Sequence, residues 1–183
     1  MKEKILRATA KLISERGIEA VSIRGICGEL NITAPTLYHY FKDKKALIEG
    51  VTTLAYQKYQ AKIDRDIKNK TPIEALIKIW DIYFDFVSSE SELYLTIVLA
   101  HANGNIPRIG YESFESAVEI FQRAYEDGLI KYKPFLAAQI YYSAAQGAAL
   151  MYISQNRNRY LLNGIRELRT ICLNGIFLTS SEH

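Results

Sequence analysis

Residues 22–44, SIRGICGELNITAPTLYHYFKDK, hold the densest set of groups able to meet a polyanion. Hydroxyls stand at Ser22, Thr33 and Thr36, phenols at Tyr38 and Tyr40, an imidazole at His39, and cations at Arg24 and Lys44. Such side chains hold phosphate oxygens, and those that face a groove touch base edges. Elsewhere the sequence shows no nucleophile paired with a base and no phosphate-cradling loop. Its three His and two Cys are scattered without metal-ligand spacing. The expected chemistry is binding rather than catalysis, with no metal and no cofactor.

These residues need two short helices to position them. Ser22 suits an N-cap, and Ile23, Ile26, Cys27 and Leu30 recur at helical spacing as a buried stripe. Asn31 follows, a residue that tolerates the left-handed conformation of a tight turn, and Ile32 plugs the corner. Thr33 is a second N-cap, and Pro35 is accepted because first-turn amides lack an intrahelical partner. At about 100° per residue, Ala34, Leu37 and Phe41 share a face expected to pack on the preceding helix. Pro35, Thr36 and His39 fall opposite, with Tyr38 and Tyr40 on the flanks. Asp43 then caps a third helix beginning at Lys44. The layout is a helix-turn-helix.

The stretch resembles the tetracycline-repressor (TetR) family of bacterial transcription regulators. The match begins with a helix that ends in a Gly-containing corner, ILRATAKLISERGIEAVS. It continues through the hydroxyl-capped helix, the Asn turn and the aromatic run LYHYFKDKKAL, and covers residues 5–47. Two positions depart from the family's pattern: Gly25, where an acid is usual, and Gly28, where a helix-favouring residue is usual. Gly costs about 1 kcal/mol relative to Ala inside a helix, so a softer first helix is expected.

Thr36 and His39 are expected to project farthest and to reach base edges, with Ala34 and Pro35 near thymine methyls. The resemblance implies phosphate contacts at Tyr38, Tyr40 and Lys44. Ser22 and Thr33 can offer hydroxyls and helix N-termini to the backbone, and Arg24 a phosphate or groove contact. For Ser22 and Thr33 capping alone is the competing role. The second helix lacks Arg, Asn and Gln, the usual bidentate readers, so specificity is expected to lean on methyl contacts and DNA shape.

Charge distribution agrees. Up to Ile48 there are nine Lys/Arg against five acids; beyond it, fourteen against fifteen. The chain's net charge of +3 therefore originates at the helix-turn-helix end, where phosphate would be met. The N-terminus reads as an amphipathic helix rather than a signal peptide, and no long apolar run indicates a membrane span. Cys27 and Cys172 lie in helical apolar stripes and are expected to be free thiols in a reducing cytoplasm.

The remainder reads as all-α. A long helix is expected from Lys44 to about Lys68, and Thr71-Pro72-Ile73-Glu74 opens the next with a capping box. A short apolar helix ends at Asn103-Gly104-Asn105, and another runs to Gly128. Pro134 opens the penultimate helix, which Asn156 to Asn158 separates from one ending near Leu178. The expected organisation is a three-helix DNA-binding domain, residues 1–47, followed by a larger helical ligand-binding and dimerisation domain, residues 48–183. In the last two helices, Ala137, Ala144, Ala145 and Ala148, with Leu161, Ile165, Leu168 and Cys172, make a candidate homodimer interface built as a four-helix bundle. The same faces can instead close the monomer's own core.

The chain carries 13 Tyr, 7 Phe and one Trp, most of them beyond residue 47. Aromatic stripes usually form core, yet buried phenols want hydrogen-bond partners. TetR-like proteins hold a ligand inside their C-terminal helices. By that resemblance Tyr59, Trp80, Phe84, Tyr94, His101, Phe121, Tyr125, Tyr142 and Gln146 are the candidate lining for a small hydrophobic or aromatic ligand. The function implied is a repressor that binds a palindromic operator as a dimer and is released by that ligand. The alternatives are a DNA-binding regulator controlled by a protein partner, and a helical ligand-binding protein or enzyme with an incidental basic end.

Overall fold

Capping chemistry sets most of the helix ends. In the computed structural model, which describes residues 1–155 and 160–178, the order is α1 (Lys2–Arg16), a 3-10 turn (Ile18–Ala20), α2 (Ile23–Leu30), α3 (Ala34–Tyr40) and α4 (Lys44–Asp66). It continues with α5 (Pro72–Ser89), α6 (Ser91–Ala102), α7 (Arg108–Glu126), α8 (Pro134–Ser154) and α9 (Tyr160–Ile176). Among the described residues the architecture is all-α; the only pairing outside the helices is an isolated bridge between Ile130 and Phe177. The expected Asn156–Asn158 break lies outside the described residues. Gly17, at φ 82°, ends α1, and Asn31, at φ 51° and ψ 48°, ends α2 in the left-handed region. The Thr71 amide donates to Glu74 Oε2 at 2.9 Å while the Glu74 amide donates to Thr71 Oγ1 at 3.4 Å, completing the capping box of α5.

Packing divides the chain into two units, one of residues Met1–Tyr59 and Glu90–Tyr111, the other of Gln60–Ser89 and the described residues from Glu112 on. This grouping does not follow the functional division expected after Leu47, because α6 packs along α1. In the first unit Ile5, Ile26, Leu37, Leu47, Val51 and Leu93 are buried. Its surface carries an ion cluster: Arg7 Nη1 lies 3.1 Å from Glu90 Oε2, and Lys58 Nζ lies 3.6 Å from Glu90 Oε1 and 3.4 Å from Glu3 Oε1.

In the second unit α5, α8 and α9 pack together. Trp80 meets Phe84 at a tilt and Tyr141 edge-on, at centroid distances of 5.5 and 5.4 Å, and Phe121 meets Tyr141 at 5.8 Å. The Tyr141 hydroxyl donates to the Leu76 carbonyl, and its burial pushes the phenol's pKa well up. The alanines of α8 let this aromatic layer sit close: Ala137, Ala138, Ala145 and Ala149 are all buried. Cys172 is buried and Cys27 half-buried, both as free thiols.

Candidate nucleic-acid interface

The second helix of the motif is held by Leu37 within it and by Phe41 at its end. Leu37 is 0% exposed, and beyond it Phe41 turns into the core. Phe41 does not extend the helical face: α3 has seven residues, and Phe41 is its C-cap with extended backbone, φ −138° and ψ 119°. Ala34, expected on the packed face, is exposed. A helix of two turns has too little face to bury both ends.

The N-termini of both helices are satisfied from the side. Ser22 Oγ accepts from the Gly25 amide at 3.1 Å, and Thr33 Oγ1 accepts from the Thr36 amide at 3.4 Å. Gly25 fits this cap closely, since a Cβ there would stand 2.9 Å from Ser22 Oγ. At the corner, the Ile32 amide donates to the Cys27 carbonyl at 3.0 Å.

Ser22, Arg24, Thr33, Ala34, Pro35, Tyr38, His39 and Tyr40 are all exposed. Tyr38 keeps 51% of its surface in solvent although it is a large aromatic, and Tyr40 keeps 36%. The His39 and Tyr40 rings meet edge-on at 4.9 Å. Thr36 differs from expectation: it is half-buried, and its hydroxyl shares a 2.9 Å hydrogen bond with that of Thr33. It does not project farthest, because the neighbouring cap draws it in. Lys44 is half-buried too, with Nζ 3.4 Å from the Glu19 carbonyl. Its helix begins on the Asp43 carboxylate, which accepts from the Ala46 amide at 2.7 Å.

The structure adds cations that motif reading passed over. Lys42 and Lys45 are exposed around the start of α4. Lys2 Nζ stands 5.8 Å from the centroid of the Phe41 ring, which places a third ammonium by the end of α3. The signal for Lys42 and Lys45 was their adjacency to Lys44; Lys2 lies outside the motif and only folding brings it there.

Among the described residues each unit also holds a cavity. One, of about 400 Å³ in the second unit, has an aliphatic bed of Ile63, Ile67, Ile79, Ala117 and Ile120. On its wall Ser113 Oγ donates to Gln60 Oε1 at 2.8 Å, and Gln60 Nε2 donates to Asp64 Oδ1 at 2.8 Å. Of the aromatic lining candidates only Tyr142 borders it. Trp80, Phe84 and Phe121 are spent in the packed layer, Tyr125 is exposed, and Gln146 is half-buried away from the lining. Tyr59, Tyr94 and His101 belong to the first unit, where Tyr59 and Tyr94 are buried. There His101 Nε2 lies 2.6 Å from the Tyr56 hydroxyl; burial lowers the imidazole's pKa and raises the phenol's. Gly110 allows this, since a Cβ on it would meet the Tyr56 ring at 2.7 Å. The other cavity, of about 670 Å³, lies wholly in the first unit and none of the candidates lines it.

The alanines and cysteine proposed for a dimer surface are largely used internally. Ala137, Ala145, Ala148, Ile165 and Cys172 are buried within the single chain, and Ala144, Leu161 and Leu168 are half-buried. A different face of α8 is exposed: Leu136, Ile140, Gly147, Leu150 and Met151 recur at helical spacing. On α9 the corresponding exposed residues are Gly164, Ile171 and Gly175, with Ile171 67% exposed. Open space stands over Gly147, Gly164 and Gly175.

Among the described residues no helix is long and apolar enough to cross a membrane, and no group of three His, Cys, Asp or Glu is placed to hold a metal. Residues 5–51 match the family model described as bacterial regulatory proteins, tetR family. The chain is 28% identical over 117 residues to the Transposon Tn10 TetC protein of Escherichia coli, covering 62% of this chain and 55% of that one. It is 32% identical over 76 residues to the HTH-type transcriptional repressor KstR of Mycobacterium tuberculosis, covering 41% and 34%. These alignments span about half or less of the relatives' length. Among solved structures, the transcriptional regulator FadR of Bacillus subtilis, in complex with stearoyl-CoA, superposes with a TM-score of 0.83 at 19% identity. That match covers 96% of this chain and all of that one.

Proposed function

From the premise that this chain belongs to the tetR family of bacterial regulatory proteins, we propose that it is a ligand-responsive transcriptional repressor of the cytoplasm, without catalytic activity. As a homodimer it binds a palindromic operator through α2 and α3. The carrying observation is the exposed face of α3, where Pro35, Tyr38, His39 and Tyr40 stand in solvent on a helix anchored by buried Leu37. Large aromatics left exposed in a segment that also carries Arg24, Lys42, Lys44 and Lys45 suit phosphate and groove contact. Ser22 and Thr33 act mainly as caps, and Thr36 acts mainly in orienting Thr33.

The dimer forms on the exposed stripes of α8 and α9. Leu136, Ile140, Leu150, Met151 and Ile171 supply the apolar area, and the open glycines let a partner helix approach closely. A two-fold pair of readers then fixes the half-site spacing. The effector occupies the cavity bedded on Ile63, Ile79 and Ile120, with its polar group on Gln60, Ser113 or Tyr142. The stearoyl-CoA held by the B. subtilis neighbour supports an effector within this fold. Helix α4 carries Lys44 in its first turn and Gln60, Ile63 and Asp64 near its last. A ligand that prefers one setting of α4 shifts operator affinity only by that preference.

Selection of duplexes from random DNA tests the reading. A two-fold palindrome is expected; enrichment of an asymmetric site, or none, would sink it.

A further inference from the structure

The cavity of the first unit has a lining unlike the rest of the chain. Among the described residues no aromatic side chain borders it, although the sequence carries 13 Tyr, 7 Phe and one Trp. Ile13, Ile18, Ile48, Leu99 and Ile106 make its bed, contributed by α1, the following 3-10 turn, α4, α6 and the loop after α6. Thr52 and Thr96 also border it, but their hydroxyls donate back to the carbonyls of Ile48 at 3.4 Å and Leu93 at 2.7 Å. The two hydroxyls are thereby spent within the chain; Asn103, whose Nδ2 donates to the Leu99 carbonyl at 2.8 Å, and Asn105 also border the cavity. Charge enters from the start of α4, where Lys44 and Lys45 border the cavity against a single acid, Glu49. At about 670 Å³ the space is of the size that holds a small molecule.

An aliphatic bed without rings favours a flexible hydrocarbon body over a stacked aromatic one, and two ammonium groups against one carboxylate favour an anionic head. We infer that this cavity binds an aliphatic carboxylate, its chain on Ile13, Ile48, Leu99 and Ile106 and its head on Lys44 and Lys45. Lys44 is also the ammonium assigned above to DNA phosphate. Ligand and operator therefore compete for one cation in the same unit, a route to release that is separate from the effector cavity of the second unit. The competition rests on the repressor reading; the carboxylate site does not.

The test uses the full chain with decanoate as probe, and 1-decanol and benzoate as controls. Binding to a fluorescent duplex of arbitrary sequence is followed by anisotropy. Removal of one phosphate contact predicts about an eightfold weaker affinity near 0.1 M salt, from a slope of about 0.9 per contact. Decanoate is expected to produce this loss and lower the salt slope by about one; decanol and benzoate are not. Leu99→Trp, which fills the bed, is expected to keep DNA affinity and lose the response. An equal effect of decanol, or an undiminished response in a folded Leu99→Trp protein, would overturn the inference.

Because Leu99→Trp can fail to fold, a diazirine-bearing decanoate is also cross-linked to the wild-type chain and mapped by mass spectrometry. Label on residues 13–18 or 96–107 is the expected result; label confined to residues 60–67 and 112–123, or no label, overturns it. Label in the first-unit cavity of a protein that binds no duplex would retain the site and refute the repressor reading instead.

Discussion

Lys44→Gln separates a phosphate contact from a structural one. In the folded chain Lys44 Nζ has a protein oxygen at 3.4 Å, the Glu19 carbonyl. That distance lies beyond the usual range for an N–H···O bond, so its loss costs little stability. The ammonium's main energy is then released on DNA. Each neutralised phosphate contributes about 0.9 to the slope of log affinity against log salt. The variant should therefore bind any duplex about eightfold more weakly near 0.1 M salt and about fifteenfold more weakly near 0.05 M, the gap narrowing to about twofold near 0.5 M. Anisotropy titrations on a random duplex across that series give the slope directly. Lys133→Gln, an exposed cation at the start of α8, serves as the comparison for mere net charge. A salt-independent loss would mean that Lys44 holds the 3-10 turn rather than phosphate. Equal slopes for Lys44→Gln and Lys133→Gln would refute the assignment altogether.

Ile171→Arg places a charge at a residue that is 67% exposed on the α9 stripe, so the fold should survive while the proposed dimer is lost. Sedimentation should show a monomer with unchanged helical circular dichroism, and a variant that remains dimeric would exclude this face. The carboxylate of Glu90 is partly buried, which opposes its ionisation, but the hydrogen bond and charge of Arg7, with Lys58, hold its pKa below the ordinary range. Its contribution is complete above the ordinary Glu value of about 4.3 and is lost as pH falls through the lower folded value. Glu90→Gln should lower Tm at neutral pH by an amount that vanishes in acid; a gap constant with pH would contradict the ion cluster.

Sequence was most legible where one residue type has one local job. Ser22, Thr33, Asp43 and the Thr71–Glu74 pair cap the helices they precede, and Asn31 takes the left-handed turn it suits. These signals act within a few residues and need no tertiary context. Faces were harder. The helical projection that grouped Ala34 with Phe41 assumed that α3 continues, whereas the chain leaves the helix at Tyr40 and Phe41 reaches the core from extended backbone. The aromatic lining was read from residue type, whereas Trp80 and Phe121, two of its candidates, both meet Tyr141, which was not one, in a packed layer. Trp80 Nε1 is buried without a hydrogen-bond partner among the described residues, so its burial is governed by ring packing rather than by its N–H. Ala137 and Ala145, read as candidates for a dimer interface, are buried within the chain, where α8 packs on α5 and α9. The exposed stripe through Leu136, Ile140 and Gly147 lay on the neighbouring face, and composition alone does not choose between the two.

The shape of α3 then decides where operator specificity can come from. It has no Arg, Asn or Gln, and the hydroxyl of Thr36 is shared with Thr33. His39 is left as the exposed side chain best suited to hydrogen-bond a base, beside the apolar surfaces of Ala34 and Pro35. One bidentate pair discriminates by about 1–3 kcal/mol, and this helix has no residue to make one. Selectivity must therefore be gathered from methyl contacts, from groove shape, and from the demand that two readers meet two half-sites at one spacing. Only the last of these multiplies a weak preference by itself, because both half-sites are read in a single binding event. Disruption of the α8–α9 stripe should therefore cost more operator selectivity than any single substitution on α3, although it lies outside the DNA-reading motif.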